Sequence, residues 1–115
     1  MKVNTKLVGD ICVVEIEGEI DAEHSPQLKR SLAKAQEEKA KNFILDINKV
    51  SFLDSTGLGV MISLMRNLKE KGGELRLVGL QDEVRSIFEI TRLYKVFHIN
   101  STVEDAIRDI HGEKG

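Results

Sequence analysis

A chain of 115 residues with 41% hydrophobic and 31% charged side chains and a net charge of -2 has the makings of one soluble globular domain, spanning 1–115. At this size a domain buries roughly two-thirds of its unfolded surface and needs no disulfide or metal to fold. Lysines and arginines alternate with acids and form no patch, which speaks against nucleic acid as a partner.

The lone cysteine, Cys12, lies in an apolar run. It has no second thiol for a disulfide or a metal pair, and it reads as a buried, inert residue in a reducing compartment. The segment from Met1 to Lys6 has no signal-peptide core. The longest apolar stretch, Leu58 to Met65, is interrupted by Gly59 and Ser63 and falls far short of the roughly 20 residues that span a bilayer. A cytoplasmic protein without membrane contact is expected.

Residues 2–8 and 11–17 read as two strands joined at Gly9-Asp10, a tight-turn dipeptide. Val14 and Ile16 alternate with Glu15 and Glu17, so the apolar pair points inward. The loop Gly18-Glu19-Ile20-Asp21-Ala22 follows. Ser25-Pro26 opens a helix, with Ser25 as its cap and Pro26 at the first helical position, where a missing N–H costs nothing. Leu28, Leu32 and Ala35 give that helix a narrow apolar stripe. Residues 42–47 form a third strand, apolar almost throughout and therefore covered on both faces.

A second helix is expected over about 56–71, with Leu58, Met61, Ile62, Met65 and Leu68 at helical spacing. Gly72-Gly73 ends it. Residues 74–78 read as a fourth strand. A third helix over about 82–91 places Val84, Ile87, Phe88 and Thr91 on one face, and residues 96–99 make a short last strand. Ser101-Thr102-Val103-Glu104 is a capping box that starts a final helix with Val103, Ala106, Ile107 and Ile110 inward. Residues 112–115 read as a frayed tail. The order β-β-α-β-α-β-α-β-α predicts an α/β fold, with a mixed sheet of about five strands and about four helices. From the third strand onward the alternation implies parallel strands and right-handed crossovers.

The segment with the most chemical content is Phe52-Leu53-Asp54-Ser55-Thr56-Gly57-Leu58-Gly59, at a strand-to-helix turn. Backbone N–H groups converge there, and the helix dipole favours negative charge. Asp54 sits near the helix start, Ser55 or Thr56 can serve as the N-cap, and Gly57 and Gly59 allow a sharp turn and a close approach. A well-capped helix explains the run without any function. Catalytic readings fail. No lysine follows the glycines as a P-loop requires. A nucleophile elbow needs glycine two residues before the serine, where Leu53 stands. His24, His98 and His111 are scattered, without spacing for a triad or a metal. Asp21 lies in the loop after the second strand, and loops at the carboxyl ends of parallel strands share one rim. Either Asp21 and Asp54 flank Ser55 there, or Asp21 is an ordinary solvated loop residue.

Gly18-Glu19-Ile20-Asp21-Ala22, Ile44-Leu45-Asp46-Ile47, Val50 through Gly59 and Gly73-Glu74-Leu75-Arg76-Leu77-Val78 together resemble the STAS domain family, in particular its single-domain bacterial anti-sigma factor antagonists. Arg92 stands where many members have glycine. The resemblance implies a STAS fold and a binding protein rather than an enzyme, with no catalytic residues and no metal. Its partner would be an anti-sigma factor serine kinase, whose sigma factor it sets free. That kinase would phosphorylate Ser55 and so end the association, and a PP2C-type phosphatase would restore the unphosphorylated form. The resemblance places Asp21, Asp54, Ser55, Thr56 and Gly57 at the partner or nucleotide surface. No cofactor is expected beyond weak binding of a purine nucleotide, and the chain is expected to be a monomer. The alternative is a STAS scaffold or nucleotide-sensing subunit of a signalling assembly without kinase switching. Phosphate adds about -1.5 to -2 charges. Against an unpaired like charge about 4 Å away this costs about 4 kcal/mol per unit charge at an effective dielectric of 20, roughly a thousandfold in affinity. Direct blocking with little rearrangement of the fold follows.

Overall fold

A computed structural model describes residues 1–38 and 40–112. Among them are five strands and four helices, β1 (Lys2–Val8), β2 (Ile11–Ile20), α1 (Ser25–Gln36), β3 (Asn42–Leu53), α2 (Ser55–Glu70), β4 (Leu75–Val78), α3 (Asp82–Ile90), β5 (His98–Asn100) and α4 (Val103–Gly112), with a single 3-10 turn at Leu93–Lys95. The strands form one sheet in the order β1-β2-β3-β4-β5. β1 and β2 are antiparallel, and every later pair is parallel. The expected α/β order is present. Residues 113–115, most of the expected frayed tail, lie outside the described residues.

The sheet carries two unequal cores. Val14, Ile16, Phe43, Leu45, Ile47 and Leu77 face the larger one with the apolar stripes of α1, α2 and α3. Ile11, Val13, Ile44 and Val78 face the smaller one, closed by Ala106 and Ile110 of α4. The inner half of β3 is thus buried on both faces, as its unbroken apolar run requires. Arg76, buried on β4, helps hold α4 to this second face: its guanidinium reaches Asn100 Oδ1 at 3.2 Å and Asp109 Oδ2 at 3.7 Å. Cys12 is buried. Its burial, with the charge of Glu38 adding to it, pushes the thiol above its ordinary range, which keeps it protonated and unreactive at neutral pH.

Several boundaries differ from the sequence expectation, each for a physical reason. β2 runs on to Ile20, through the segment expected as a loop, because Gly18 adopts φ +118 at a bulge that lets pairing continue. β3 runs six residues past Ile47. Glu15 pairs with Asp46 but Glu17 with Lys49, and Gly18 pairs with Val50 but Glu19 with Phe52. Each shift inserts an extra residue into β3, so its buried side chains fall at Ile47, Val50 and Leu53, three apart. That spacing hides a strand from a period of two.

β5 starts at His98 because Phe97 drops into the core edge-on to Phe88, ring centroids 5.7 Å apart. Thr102, not Ser101, caps α4, its Oγ1 accepting from the Asp105 amide at 3.1 Å. Arg92 has φ 60, in the left-handed region, which explains why glycine suits that position.

Candidate functional site

Asp54 ends β3 in extended conformation and is the N-cap of α2. Its Oδ1 accepts from the Gly57 amide at 2.9 Å, and its Oδ2 accepts from the Ala22 amide at 3.1 Å. One carboxylate thereby satisfies an orphan donor of α2 and fastens the β2–α1 loop, 32 residues away in sequence, to the same spot. The expectation that Ser55 or Thr56 caps this helix is corrected. The cap is one residue earlier, and Ser55 and Thr56 are the first two residues inside the helix, both exposed. Neither hydroxyl is needed to start the helix.

Gly57 and Gly59, expected to share a role, do not. A Cβ on Gly57 would lie 2.5 Å from the Ile20 carbonyl oxygen and 2.7 Å from Leu53 Cδ1, whereas one on Gly59 would meet nothing within 4 Å. Gly57 is what lets α2 begin tight against the end of β2. Gly59 is exposed, one turn beyond Ser55.

Asp21 lies in the loop that Asp54 fastens. Its Oδ1 accepts from the His24 amide at 2.9 Å, and His24 Nδ1 lies 2.8 Å from the same oxygen. The His24 amide chiefly holds this carboxyl below its ordinary range; partial burial works against it, and the His24 side chain adds to the lowering. Ser25 does not cap α1. His24 stands at the N-cap without a side-chain cap bond, and the Ser25 hydroxyl donates to the Asp21 carbonyl at 2.7 Å. Pro26 is therefore the second helical residue rather than the first, still within the turn whose N–H groups lack partners.

The rim therefore joins Asp21, Asp54, Ser55, Thr56 and Gly57 through the Asp54–Ala22 link. Neither acid is the unpaired charge assumed for the blocking argument. Asp54 is spent on two amides and Asp21 on His24, so charge added at Ser55 meets flanking carboxylates that are already partly compensated.

Two features escaped the sequence reading. His24 is the partner of Asp21, and the spacing Asp-x-x-His in a loop was a usable signal for it. Phe52 is 47% exposed beside the turn. Adjacent strand residues face opposite sides, so with Leu53 inward an exposed Phe52 follows. Asp21, Glu23 and His24 also offer metal-ligand atoms within 4.8 Å of one another, although Asp21 and His24 are already engaged with each other there. No helix among the described residues is long and apolar enough to cross a membrane.

The model of the STAS domain matches residues 2–106. The chain belongs to the STAS domain family. Among curated relatives, an anti-sigma-B factor antagonist of Listeria monocytogenes is 37% identical over 86 residues, 75% of each chain. One of Staphylococcus aureus is 31% identical over 91 residues, 79% of this chain and 84% of the relative. Among solved structures, the anti-sigma factor antagonist SpoIIAA in its unphosphorylated form superposes with a TM-score of 0.82 at 25% identity, covering 96% of this STAS chain and 97% of that one. The phosphorylated form of SpoIIAA, a Bacillus cell fate determinant, gives 0.72 at 23% identity, with 95% and 99% covered. The mixed five-stranded sheet is thus the STAS fold.

Proposed function

We propose that this STAS protein is an anti-sigma factor antagonist switched by phosphorylation of Ser55. In the unphosphorylated state the rim of residues 18–24 and 52–57 docks on an anti-sigma factor serine kinase and displaces the sigma factor. The kinase transfers phosphate to Ser55, the pair separates, and a PP2C-type phosphatase resets the chain. Ser55 is then an acceptor and not a nucleophile, so the chain is a substrate and a binding module rather than an enzyme. One chain carries the whole switch, and no cofactor bound to it takes part.

The observation that carries this reading is the division of labour at the turn. Asp54 and Gly57 hold the start of α2, which leaves the Ser55 hydroxyl exposed and structurally idle at a helix N-terminus. A phosphate there finds the helix dipole and the orphan amides of the first turn, so the fold tolerates it. The docking surface does not tolerate it, because a partner that packs on a neutral hydroxyl offers neither room nor counter-charge for a group carrying about -1.5 to -2 charges. Since both flanking aspartates are hydrogen-bonded, the expected loss of affinity is roughly ten- to a hundredfold rather than a thousandfold. The relatives' names, and the existence of SpoIIAA in both phosphorylation states, support the same reading.

Incubation with ATP and each small serine kinase of the source organism, followed by intact-mass and peptide mass spectrometry, tests it. One phosphate on Ser55, absent from Ser55→Ala, with release of the kinase, is the expected result. Phosphate on Thr56, or stable complexes with no phosphate at all, would overturn it.

A further inference from the structure

α2 carries Gly57 and Gly59 near its start, and the fold needs only the first of them. Gly57 is seated on Ile20, where a side chain has no room. Gly59 is exposed, and a Cβ there would meet nothing within 4 Å. Its φ is not positive, so no special backbone conformation asks for glycine either. Glycine is the poorest helix former after proline, because it gives up the most chain freedom on folding. The domain by itself therefore loses stability at Gly59 and gains no contact in exchange. What a bare Cα offers is close approach from outside.

The surface around Gly59 differs from that of every other helix. From Ser55 to Met65, about three turns, α2 has no charged residue. Thr56, Gly59 and Ser63 are nevertheless exposed, and Ile62 is partly so. The other helices expose charge over comparable stretches, such as Lys29 and Lys34 on α1, Glu83 and Glu89 on α3, and Arg108 and Asp109 on α4. Charged residues are depleted from the centre of protein interfaces, where each would have to leave water. Gly59 follows Ser55 by four residues, so the two share a face about 6 Å apart along the axis.

We propose that the serine kinase rests its backbone on Gly59, and that the missing side chain sets how closely the kinase approaches Ser55. This rests on the phosphoswitch reading and names what occupies the uncharged face of α2: an uncharged segment of that same kinase, with Ile62 and Ser63 beside it. In the transfer, Ser55 Oγ bonds to the γ-phosphorus of the ATP held by the kinase, the bond to the ADP oxygen breaks and the hydroxyl proton is released. The reacting atoms must first come within about 3–3.5 Å, and small misplacements are costly. A methyl one turn away holds the two surfaces apart. Gly59 is thus a positioning residue. Gly57 fits α2 to its own sheet, and Gly59 fits it to the partner.

Gly59→Ala decides the matter, because one methyl acts with opposite sign on fold and partner. The variant should unfold at a higher urea midpoint than wild type. The kinase that phosphorylates Ser55 in wild type should bind it roughly ten- to a hundredfold more weakly in calorimetric titration, and kcat/KM for phosphate transfer should fall by at least that factor. Ser63→Glu, which puts a charge on the same face, should also weaken binding. Ala33→Gly, at an exposed site on α1, should lower the urea midpoint and leave kinase binding unchanged, which separates affinity from stability. Wild-type affinity in Gly59→Ala or Ser63→Glu would overturn the proposal and leave the phosphoswitch standing. A lowered midpoint in Gly59→Ala would also overturn it, since the glycine would then serve the fold. Failure of wild type to bind any serine kinase would overturn the phosphoswitch reading and this proposal with it.

Discussion

The first turns of α1 and α2 sit side by side on the same rim and are held in different ways. α2 is fixed by contacts that reach across the sequence: Asp54 caps it and grips Ala22, and Gly57 seats it on Ile20. α1 is fixed mainly by local bonds, with Gln27 of its first turn also donating from Nε2 to the Met1 carbonyl at 3.2 Å. His24 has no side-chain cap bond of its own, and Asp21, Ser25 and His24 bond to one another, with Glu23 Oε2 3.9 Å from His24 Nε2. The helix start that bears the exposed Ser55 is thus the one braced against β2, and the Asp54 carboxylate ties the neighbouring loop to it through Ala22. Charge added at the start of α2 therefore meets a braced element.

The largest effect is expected from Gly57→Ala. Its methyl meets backbone at Ile20, which has little room to yield, so α2 must shift at a cost of about 2–3 kcal/mol, read as a lower midpoint in urea denaturation. Asp54→Ala should cost about 1–2 kcal/mol through the lost cap. It should also speed hydrogen exchange at Ala22 as well as at Gly57, and a change confined to Gly57 would break the claim that one carboxylate braces both loops. Gly59→Ala should go the other way and stabilise by about 0.5–1 kcal/mol, since its methyl meets open space in a helix. Opposite signs for two glycines two residues apart would sharpen the contrast.

The smallest effect lies in the α1 loop. The Asp21 carboxyl is held below its ordinary value of 3.8 chiefly by the His24 amide. Its contribution is therefore present above that pH and is lost only as pH falls through the lowered value. Protection of the His24 amide should persist to below the ordinary carboxylate range in wild type and be absent at every pH in Asp21→Ala, with the α2 amides unaffected.

These contrasts also mark what could be read from residues alone. The apolar stripes Leu28-Leu32-Ala35 and Val103-Ala106-Ile107-Ile110 and the Val14/Ile16 alternation repeat at the period of their own element, and the structure buries those stripes fully or in part. The outer half of β3 was not legible, because two bulges turn its inward spacing from two to three. The α2 cap was ambiguous for a different reason. Asp54, Ser55 and Thr56 are three competent caps in a row, and only the packing of Gly57 on Ile20 decides among them. The Asp54–Ala22 bond joins segments distant in sequence, which no local pattern encodes. Asp21, Asp54 and Ser55 were singled out through family resemblance. What the acids do, bracing rather than standing as free charges, needed their partners in space.

The central claim is that charge on Ser55 separates this protein from its kinase without altering the fold. The most direct measurement is calorimetric titration of the anti-sigma factor kinase with two versions of the chain, one unmodified and one carrying phosphoserine at position 55. The account predicts roughly ten- to a hundredfold weaker binding for the phosphorylated chain, with amide chemical-shift differences confined to residues 18–25 and 52–60. Equal affinity for the two forms, or shift differences spreading into β4, α3 and α4, would contradict it.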